Sequence, residues 1–299
     1  MPGSNDLEHS PRLADLAHLL RLPAALSVPG DVLAGAVASA GPPRPRVLGT
    51  MASSVALYWA GMALNDYADA TVDAVERPER PIPSGRVARR TALATATGLT
   101  AAGLGLAALA GGRRALGVAL PLTGLVWAYD LGLKSTPAGP AAMAGTRALN
   151  VLAGAEPGRR TAALPAALLI GAHTYTVTAL SRHEISGAPR ALPAATLAGS
   201  TATALTAAAL PGLRRHGRTA RIGAATGALG YLASYGAAQI RAVREPSATN
   251  VRTAVGTGIM SLMPLQAALT AAAGSALPAG ALALAHPLAR RLARKVSPT

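Results

Sequence analysis

The sequence contains no cysteine and no phenylalanine, and charged residues make up only 14% of its 299 residues. The absence of cysteine excludes a disulfide framework and a thiolate metal site. A soluble domain normally carries about a quarter charged residues, so the scarcity of charge, together with 51% hydrophobic residues, predicts a membrane protein. Because much of the apolar content is alanine and glycine, its helices must pack closely to gain contact energy in lipid.

Apolar runs of roughly 17 to 25 residues recur between short polar breaks, and this is the length that a helix needs to cross a bilayer. They predict an all-α, polytopic membrane protein with about nine transmembrane helices. The predicted segments are 14–40, 47–66, 89–110, 114–133, 138–155, 161–182, 190–211, 218–241 and 251–272. A tenth segment, 276–288, is short and interrupted by Pro278, so we expect it to lie at the membrane surface or to re-enter.

The ends of the chain are more polar than its middle. We expect a loose tail over 1–12, a single transmembrane domain over 13–289 and a basic tail over 290–299. Acidic residues precede the first apolar run, which is not the pattern of a cleaved signal peptide.

The net charge of +15 raises nucleic-acid binding as a candidate function. The arginines, however, lie mostly in the breaks between apolar runs, where they can meet lipid phosphates and fix the topology. We therefore expect membrane lipid, and no nucleic acid, among the partners.

One stretch, NDYADATVDAVERPERPIPSG at 65–85, holds five of the thirteen acidic residues. If the second predicted helix continues through it, Asp66, Asp69 and Asp73 lie within an arc of about 60°. Three carboxylates on one helix face repel each other unless a cation lies between them. Hard oxygen ligands of this kind suit Mg²⁺, which is usually completed by waters and substrate phosphates.

Three arginines follow the aspartates, at Arg77, Arg80 and Arg86, and prolines between them end the helix and stiffen the loop. Arginines presented in this way can hold a polyanion. The alternative is a solvated acidic helix end that pairs with these arginines. The concentration of acidic residues in one short window favours a site for a metal and a polyanion.

The complete NDxxDxxxD pattern at 65–73 continues into RPIPSG at 80–85, and YDLGLK follows at 129–134. Together these stretches resemble the UbiA-superfamily intramembrane prenyltransferases. The resemblance implies a helical bundle around a central cavity, in which aspartate-bound Mg²⁺ bridges a prenyl diphosphate. Ionisation then gives an allylic carbocation that an acceptor captures, with release of pyrophosphate.

The same resemblance implies roles for individual residues. Asp66, Asp69 and Asp73 would bind Mg²⁺ and act in catalysis. Lys134 and Arg182 would be catalytic groups that contact the diphosphate. The expected substrate-binding residues are Asn65, Arg77, Tyr129 and Glu184, together with Arg147 and Asn150, which are inferred from their position inside a membrane segment and not from the resemblance.

The second aspartate-rich motif of the family is degenerate here, because the corresponding run is TYTVTALSRHE at 174–184. Thr174 and Ser181 stand in place of aspartates, whereas Arg182 and Glu184 remain. We expect Glu184 to form a partial second metal site and Arg182 to hold the diphosphate.

Arg147 and Asn150 share one face of the fifth predicted helix. An arginine inside a membrane segment is energetically expensive and is a functional candidate by default. It can form a structural ion pair with Asp31 or Glu156, or line a polar cavity. We expect the second role, with both residues binding substrate.

The sequence therefore predicts Mg²⁺-dependent transfer of an isoprenyl group, within the membrane, from a prenyl diphosphate to an unidentified acceptor. Three alternatives remain. The protein can be a UbiA-type terpene cyclase that needs no acceptor, an enzyme that uses a sugar diphosphate as donor and a polyprenyl phosphate as acceptor, or a non-catalytic membrane protein that retains the fold.

Lysines and arginines divide almost evenly between the two sides of the membrane if nine segments cross. They favour the side of the motif loops if the tenth segment crosses as well. We expect a multi-pass protein of the plasma membrane with its motif loops facing the cytoplasm.

Overall fold

The structure is a computed structural model that describes residues 13–20, 22–41, 43–213 and 216–296. Over these ranges the backbone forms helices and turns and no β-strand, which confirms the all-α prediction. The helices are α1 Leu13–Leu19, α2 Val28–Ala40, α3 Arg46–Glu76, α4 Arg89–Leu131, α5 Gly139–Gly154, α6 Leu164–Ser181, α7 Ala191–Leu213, α8 Arg218–Tyr231, α9 Ala237–Arg244, α10 Ala248–Ala272 and α11 Ala276–Val296. A π-helical turn at Leu232–Gly236 joins α8 to α9, and 3-10 turns lie at Leu22–Ser27, Leu133–Ser135 and Arg160–Ala163.

Among the described residues, four helical segments are long and apolar enough to cross a membrane. They are α3, α4, Arg160–Ser181 and α10. The protein is therefore described as an all-helical membrane protein, whereas the number of nine crossings stays a prediction.

The first predicted segment, 14–40, is not one continuous helix. It divides into α1, the 3-10 turn Leu22–Ser27 and α2, and α2 has only 13 residues. Pro29 lies at the start of α2, where a proline is favoured because its missing N–H has no helical partner there. Inside a longer helix the same proline would remove a hydrogen bond and clash with the preceding turn.

The predicted helices 89–110 and 114–133 are the two halves of α4. They are separated at Gly112, whose φ of 59° and ψ of −150° are not helical. This backbone conformation favours glycine because a Cβ atom would be strained there. The long helix therefore contains a break at the position where the sequence predicts a turn.

The C-terminal helix differs from the expectation of a short, interrupted segment. Since α11 begins at Ala276, Pro278 lies in its first turn and does not interrupt it. The helix continues to Val296, so the basic stretch that begins at residue 290 is helical as far as that residue. It packs against α10 and also contacts the turn Leu22–Ser27.

Helices α2 and α5 cross at glycines, as the alanine- and glycine-rich composition requires. A Cβ atom on Gly35 would lie 1.8 Å from the carbonyl oxygen of Val151, and one on Gly154 would lie 2.0 Å from the carbonyl oxygen of Val32. Both distances are far shorter than a van der Waals contact. Only glycine allows the two backbones to approach this closely.

Replacing Gly35 with alanine is expected to push α2 away from α5 and to destabilise the protein by at least about 1–3 kcal/mol, the usual cost of overpacking. Thermal unfolding of the purified protein measures this change. Gly98→Ala in α4 is the matched control, because a Cβ atom there has no neighbour within 4 Å. Equal melting temperatures for the two variants would contradict the close crossing.

A small cluster of buried side chains fixes the end of α3 that carries the aspartates. Leu19 of α1, Leu64 of α3 and Ala92 of α4 pack with Val87, and Ile82 packs against them from the loop. The loop that follows α3 is therefore anchored at two points. This anchoring holds the loop, and Arg80 with it, against the end of α3.

Candidate active site

The three motif aspartates lie on one face of the last turns of α3. Because α3 continues to Glu76, the expected helical extension through the motif is confirmed. Asp66 and Asp73 are buried, with residue exposures of 3% and 2%, whereas the side chain of Asp69 is 27% exposed. Two of the three carboxylates are thus withdrawn from water and need positive partners.

Arg80 supplies that partner to both buried aspartates. Its Nη1 atom lies 2.6 Å from Oδ2 of Asp73 and 3.4 Å from Oδ1 of Asp66. Arg77 approaches Asp73 from the other side, with 3.7 Å between Nη1 and Oδ1. A single guanidinium therefore lies at the point where two carboxylates converge.

The loop after α3 holds Arg80 and turns Arg86 away. The Ser84 hydroxyl donates to the carbonyl oxygen of Arg80 at 2.7 Å. Arg86 forms its ion pair with Asp15 of α1, at 3.1 Å. Arg77 and Arg80 therefore both contact Asp73, Arg80 also contacts Asp66, and Arg86 pairs outside the motif.

Lys134 comes from the 3-10 turn after α4 and neutralises the remaining aspartate. Its Nζ atom lies 2.6 Å from Oδ1 of Asp69. Tyr129, one turn earlier, is close enough to Asp69 and Arg182 to be influenced by their charges. The YDLGLK stretch is thus brought to the aspartate face, as the sequence predicts.

Asn65, the first residue of the motif, reaches across to α4. Its side-chain amide donates to Oδ1 of Asp130 at 3.3 Å. Asp130 is buried, with 4% exposure, and directly follows Tyr129. This contact joins the end of α3 to the end of α4.

The two hydroxyl residues that replace aspartates on α6 are engaged within their own helix. Thr174 donates to the carbonyl oxygen of Ile170 at 2.8 Å, and Ser181 donates to that of Thr178 at 2.9 Å. Both bonds are typical of hydroxyl side chains that satisfy themselves inside a helix.

Arg182 and Glu184 follow α6 and lie beside the other motif loops. Arg182 donates to the carbonyl oxygen of Thr136, and Arg252 at the start of α10 donates to that of Glu184 at 3.3 Å. Burial raises the pKa of Glu184, while the positive charges of Arg77 and Arg252 lower it in part. Glu184 is therefore placed among arginines.

Arg147 and Asn150 belong to a different cluster, in the interior of the bundle. Arg147 pairs with the fully buried carboxylate of Asp31, with 2.9 Å between Nε and Oδ2. Asn150 donates to Asp31 at 3.1 Å and Gln266 donates to it at 2.7 Å. The structure gives these two predicted substrate-binding residues a shared partner in Asp31 and no contact with the motif aspartates.

The contacts therefore gather most of the predicted site residues where α3, α4 and α6 end and α10 begins. These residues are Asn65, Asp66, Asp69, Asp73, Arg77, Tyr129, Lys134, Arg182 and Glu184.

A sequence model of the UbiA prenyltransferase family matches residues 28–235, which include all three motif regions. The chain belongs to this family. Similar curated proteins include the digeranylgeranylglyceryl phosphate synthases of Methanopyrus kandleri, 43% identical over 110 residues, and of Methanoregula boonei, 43% identical over 91 residues. The first match covers 37% of this chain and 38% of the relative, and the second covers 30% and 32%.

Two solved structures share the fold. One comes from work on digeranylgeranylglyceryl phosphate synthase in membranes, with a TM-score of 0.65 and 16% identity over 87% of this chain and 98% of that one. The other is an apo UbiA homologue from Aeropyrum pernix K1, with a TM-score of 0.63 and 17% identity over 88% of this chain and 97% of that one. The helical arrangement is therefore that of UbiA proteins.

The metal that UbiA chemistry implies has a chemically suitable donor set at Asp66 and Asp73. Within the described ranges, no three acidic or histidine side chains are gathered closely enough to hold a metal by themselves. Mg²⁺ is, however, usually held by one or two carboxylates and completed by substrate phosphates. The guanidinium of Arg80 already places positive charge between these two carboxylates, so a cation fits there.

Sequence reasoning missed Asp130, and it named Arg80 only together with Arg77 and Arg86 as a possible contact for a polyanion. Arg80 stands beside Arg77 and Arg86 in a loop whose folding decides which arginine turns inward. Asp130 directly follows Tyr129, and a carboxylate next to the motif tyrosine was the sequence signal that could have pointed to it. The contact with Asn65 requires the packing of α3 on α4.

Proposed function

We propose that this protein transfers an isoprenyl group from a prenyl diphosphate to an acceptor within the membrane and releases pyrophosphate. The observation that carries the proposal is the convergence of Asp66, Asp69 and Asp73 with Arg80 and Lys134 at one end of the bundle. Carboxylates and cations in this arrangement suit a diphosphate bound together with a divalent metal.

The cationic side chains of the site would bind and orient the diphosphate. Arg77, Arg80, Lys134 and Arg182 are attached to three separate connections, so they can approach the phosphates from different directions. An arginine can form two parallel hydrogen bonds to a phosphate. In this role the four side chains stabilise the negative charge that builds up on the leaving group as its bond to the prenyl carbon breaks.

Mg²⁺ would be held by Asp66 and Asp73, with Asp69 and Glu184 as further candidates. When bound, it supplies additional stabilisation of the departing pyrophosphate. The bond electrons leave with the pyrophosphate oxygen, and the acceptor forms a new bond to the prenyl carbon and loses a proton. The apolar helices around the site would exclude water from the allylic cation.

The acceptor to test first is a prenylated glyceryl phosphate. The similar curated proteins carry the name digeranylgeranylglyceryl phosphate synthase, whose product bears two geranylgeranyl groups on one glyceryl phosphate. A reaction that adds the second group requires geranylgeranyl diphosphate and geranylgeranylglyceryl phosphate.

The test is to incubate the full-length, detergent-purified protein with radiolabelled geranylgeranyl diphosphate, Mg²⁺ and geranylgeranylglyceryl phosphate. The expected result is a product with one more prenyl group than the acceptor, formed in equal amount to pyrophosphate. A parallel reaction with a membrane lipid extract identifies any other acceptor by the mass of the labelled product. Pyrophosphate release without a prenylated product in either reaction would contradict prenyl transfer.

We further propose that the motif loops face the cytoplasm at the plasma membrane, an orientation that depends on α11 crossing the membrane although α11 is not among the four apolar segments. α11 has 21 residues, which is about 30 Å of helix, and it packs along α10. If it crosses the membrane, the basic residues at its end join the motif side and give that side the excess of positive charge found in cytoplasmic loops.

A further inference from the structure

We propose that Arg80 is a positioning residue whose guanidinium occupies, between Asp66 and Asp73, the position that a metal would take. Its guanidinium keeps Asp66 and Asp73 together before substrate binds, and it moves to the diphosphate when a divalent cation takes its place between the carboxylates. This inference rests on the proposed function, because it assumes that the site receives a metal and a diphosphate together.

The first support is the position of the guanidinium. The Nη1 atom is shared by Asp66, at 3.4 Å, and Asp73, at 2.6 Å, and the side chains of both aspartates are no more than 4% exposed. Two buried carboxylates on one face repel each other strongly if no positive charge lies between them. Arg80 therefore keeps the two carboxylates close together, where they would otherwise repel each other and move apart.

The second support is that Arg80 differs from the other arginines of its loop. Its side chain is 20% exposed, whereas that of Arg77 is 42% exposed and that of Arg86 is 40% exposed. Arg86 pairs with Asp15, away from the motif. The bond from Ser84 to the carbonyl oxygen of Arg80 fixes the backbone and leaves the long side chain free to change partners.

The third support is that Lys134 pairs with Asp69 as Arg80 pairs with the other two aspartates, with 2.6 Å between Nζ and Oδ1. Each motif aspartate thus has a cationic partner supplied by the protein. A bound diphosphate brings new negative charge that can accept both cationic side chains, while a metal satisfies the carboxylates. In this exchange the three aspartates and the two cationic side chains have partners of opposite charge both before and after binding. Leaving a buried charge unpaired would cost free energy.

The experiment measures Mn²⁺ binding to the full-length protein in detergent, by electron paramagnetic resonance and without any prenyl substrate. Arg80→Gln removes the competing cation, so it is expected to tighten Mn²⁺ binding by about tenfold or more, the scale of a lost charge-assisted contact. Arg80→Lys keeps one positive charge but cannot reproduce the fork of arginine, so it is expected to bind Mn²⁺ more tightly than the parent protein and less tightly than Arg80→Gln. Arg86→Gln is the matched control and is expected to bind Mn²⁺ as the parent does.

A second arm adds inorganic pyrophosphate to the Mn²⁺-saturated proteins. Arg80→Gln is expected to weaken pyrophosphate binding by about tenfold, whereas Arg86→Gln leaves it unchanged. Weaker or unchanged Mn²⁺ binding by folded Arg80→Gln would overturn the inference, because a merely structural arginine gives that result. If Arg80→Gln does not keep its helical circular dichroism signal, stronger Mn²⁺ binding by Arg80→Lys than by the parent supports the inference, and weaker or equal binding overturns it.

The two proposals fail in distinguishable ways. The expected Mn²⁺ shift without pyrophosphate release from any prenyl diphosphate would contradict the proposed function alone. Prenyl transfer with no Mn²⁺ shift would contradict the role of Arg80 alone.

Discussion

Replacing Asp73 with asparagine is expected to lower the rate of prenyl transfer by about a hundredfold to a thousandfold, the scale seen when one group that stabilises transition-state charge is removed. Asp73 is the most enclosed of the three motif aspartates, with 2% exposure, and it contacts both Arg80 and Arg77. Asparagine keeps the shape but removes the negative charge. It therefore weakens the hold on a metal and removes the negative charge that Arg77 and Arg80 both contact.

The measurement is the initial rate of labelled product formation at saturating prenyl diphosphate and Mg²⁺. Asp15→Asn is the matched control, because Asp15 also pairs with an arginine of the same loop, Arg86 at 3.1 Å, without touching the motif. We expect this control to keep most of its activity. An Asp73→Asn protein that turns over as fast as the control would show that the α3 aspartates are not the reaction site.

Replacing Asp31 with leucine is expected to destabilise the protein by about 3–5 kcal/mol, because it leaves the buried charge of Arg147 without its ion-pair partner. Asp31 is fully buried and accepts hydrogen bonds from α5 and α10, through Arg147, Asn150 and Gln266. One carboxylate thus links three helices. A loss of this size lowers the melting temperature of a large domain by roughly ten degrees.

The control is the double variant Asp31→Leu with Arg147→Met, which removes both charges and fills their volume with apolar groups. It is expected to recover most of the lost stability, since an apolar replacement of a buried ion pair is often neutral. A double variant as unstable as the single one would contradict the ion-pair explanation.

The same double variant tests whether Arg147 also binds substrate. If it is stable and inactive, the predicted substrate role of Arg147 is supported. If it is stable and active, the residue serves to hold α5 to α2, and Asn150 belongs to the same structural cluster.

The aspartate face was predictable from the sequence because it depends only on helical periodicity. Residues 66, 69 and 73 share a face wherever the helix continues, and α3 continues to Glu76. The glycine break at Gly112 was likewise marked by local sequence, since only glycine adopts that conformation easily. Local rules therefore sufficed for the helix ends and for the first motif.

The partners of the charged residues were not predictable, because they depend on contacts between distant segments. Asp31 and Arg147 are far apart in the sequence, and helical periodicity gives no reason to prefer their pairing over a polar cavity. The choice of Arg80 over Arg77 depends on how the loop packs on Leu64 and Val87.

Prenyl transfer at the aspartate face is best tested by pyrophosphate release from geranyl, farnesyl and geranylgeranyl diphosphates, measured for the full-length protein with and without Mg²⁺ and a membrane lipid extract. We expect release that requires Mg²⁺ and the extract together and that is lost in Asp73→Asn. Release with Mg²⁺ alone, yielding a cyclic hydrocarbon, would contradict transfer and identify a cyclase. No release under any of these conditions would contradict prenyl diphosphate chemistry at the aspartate face.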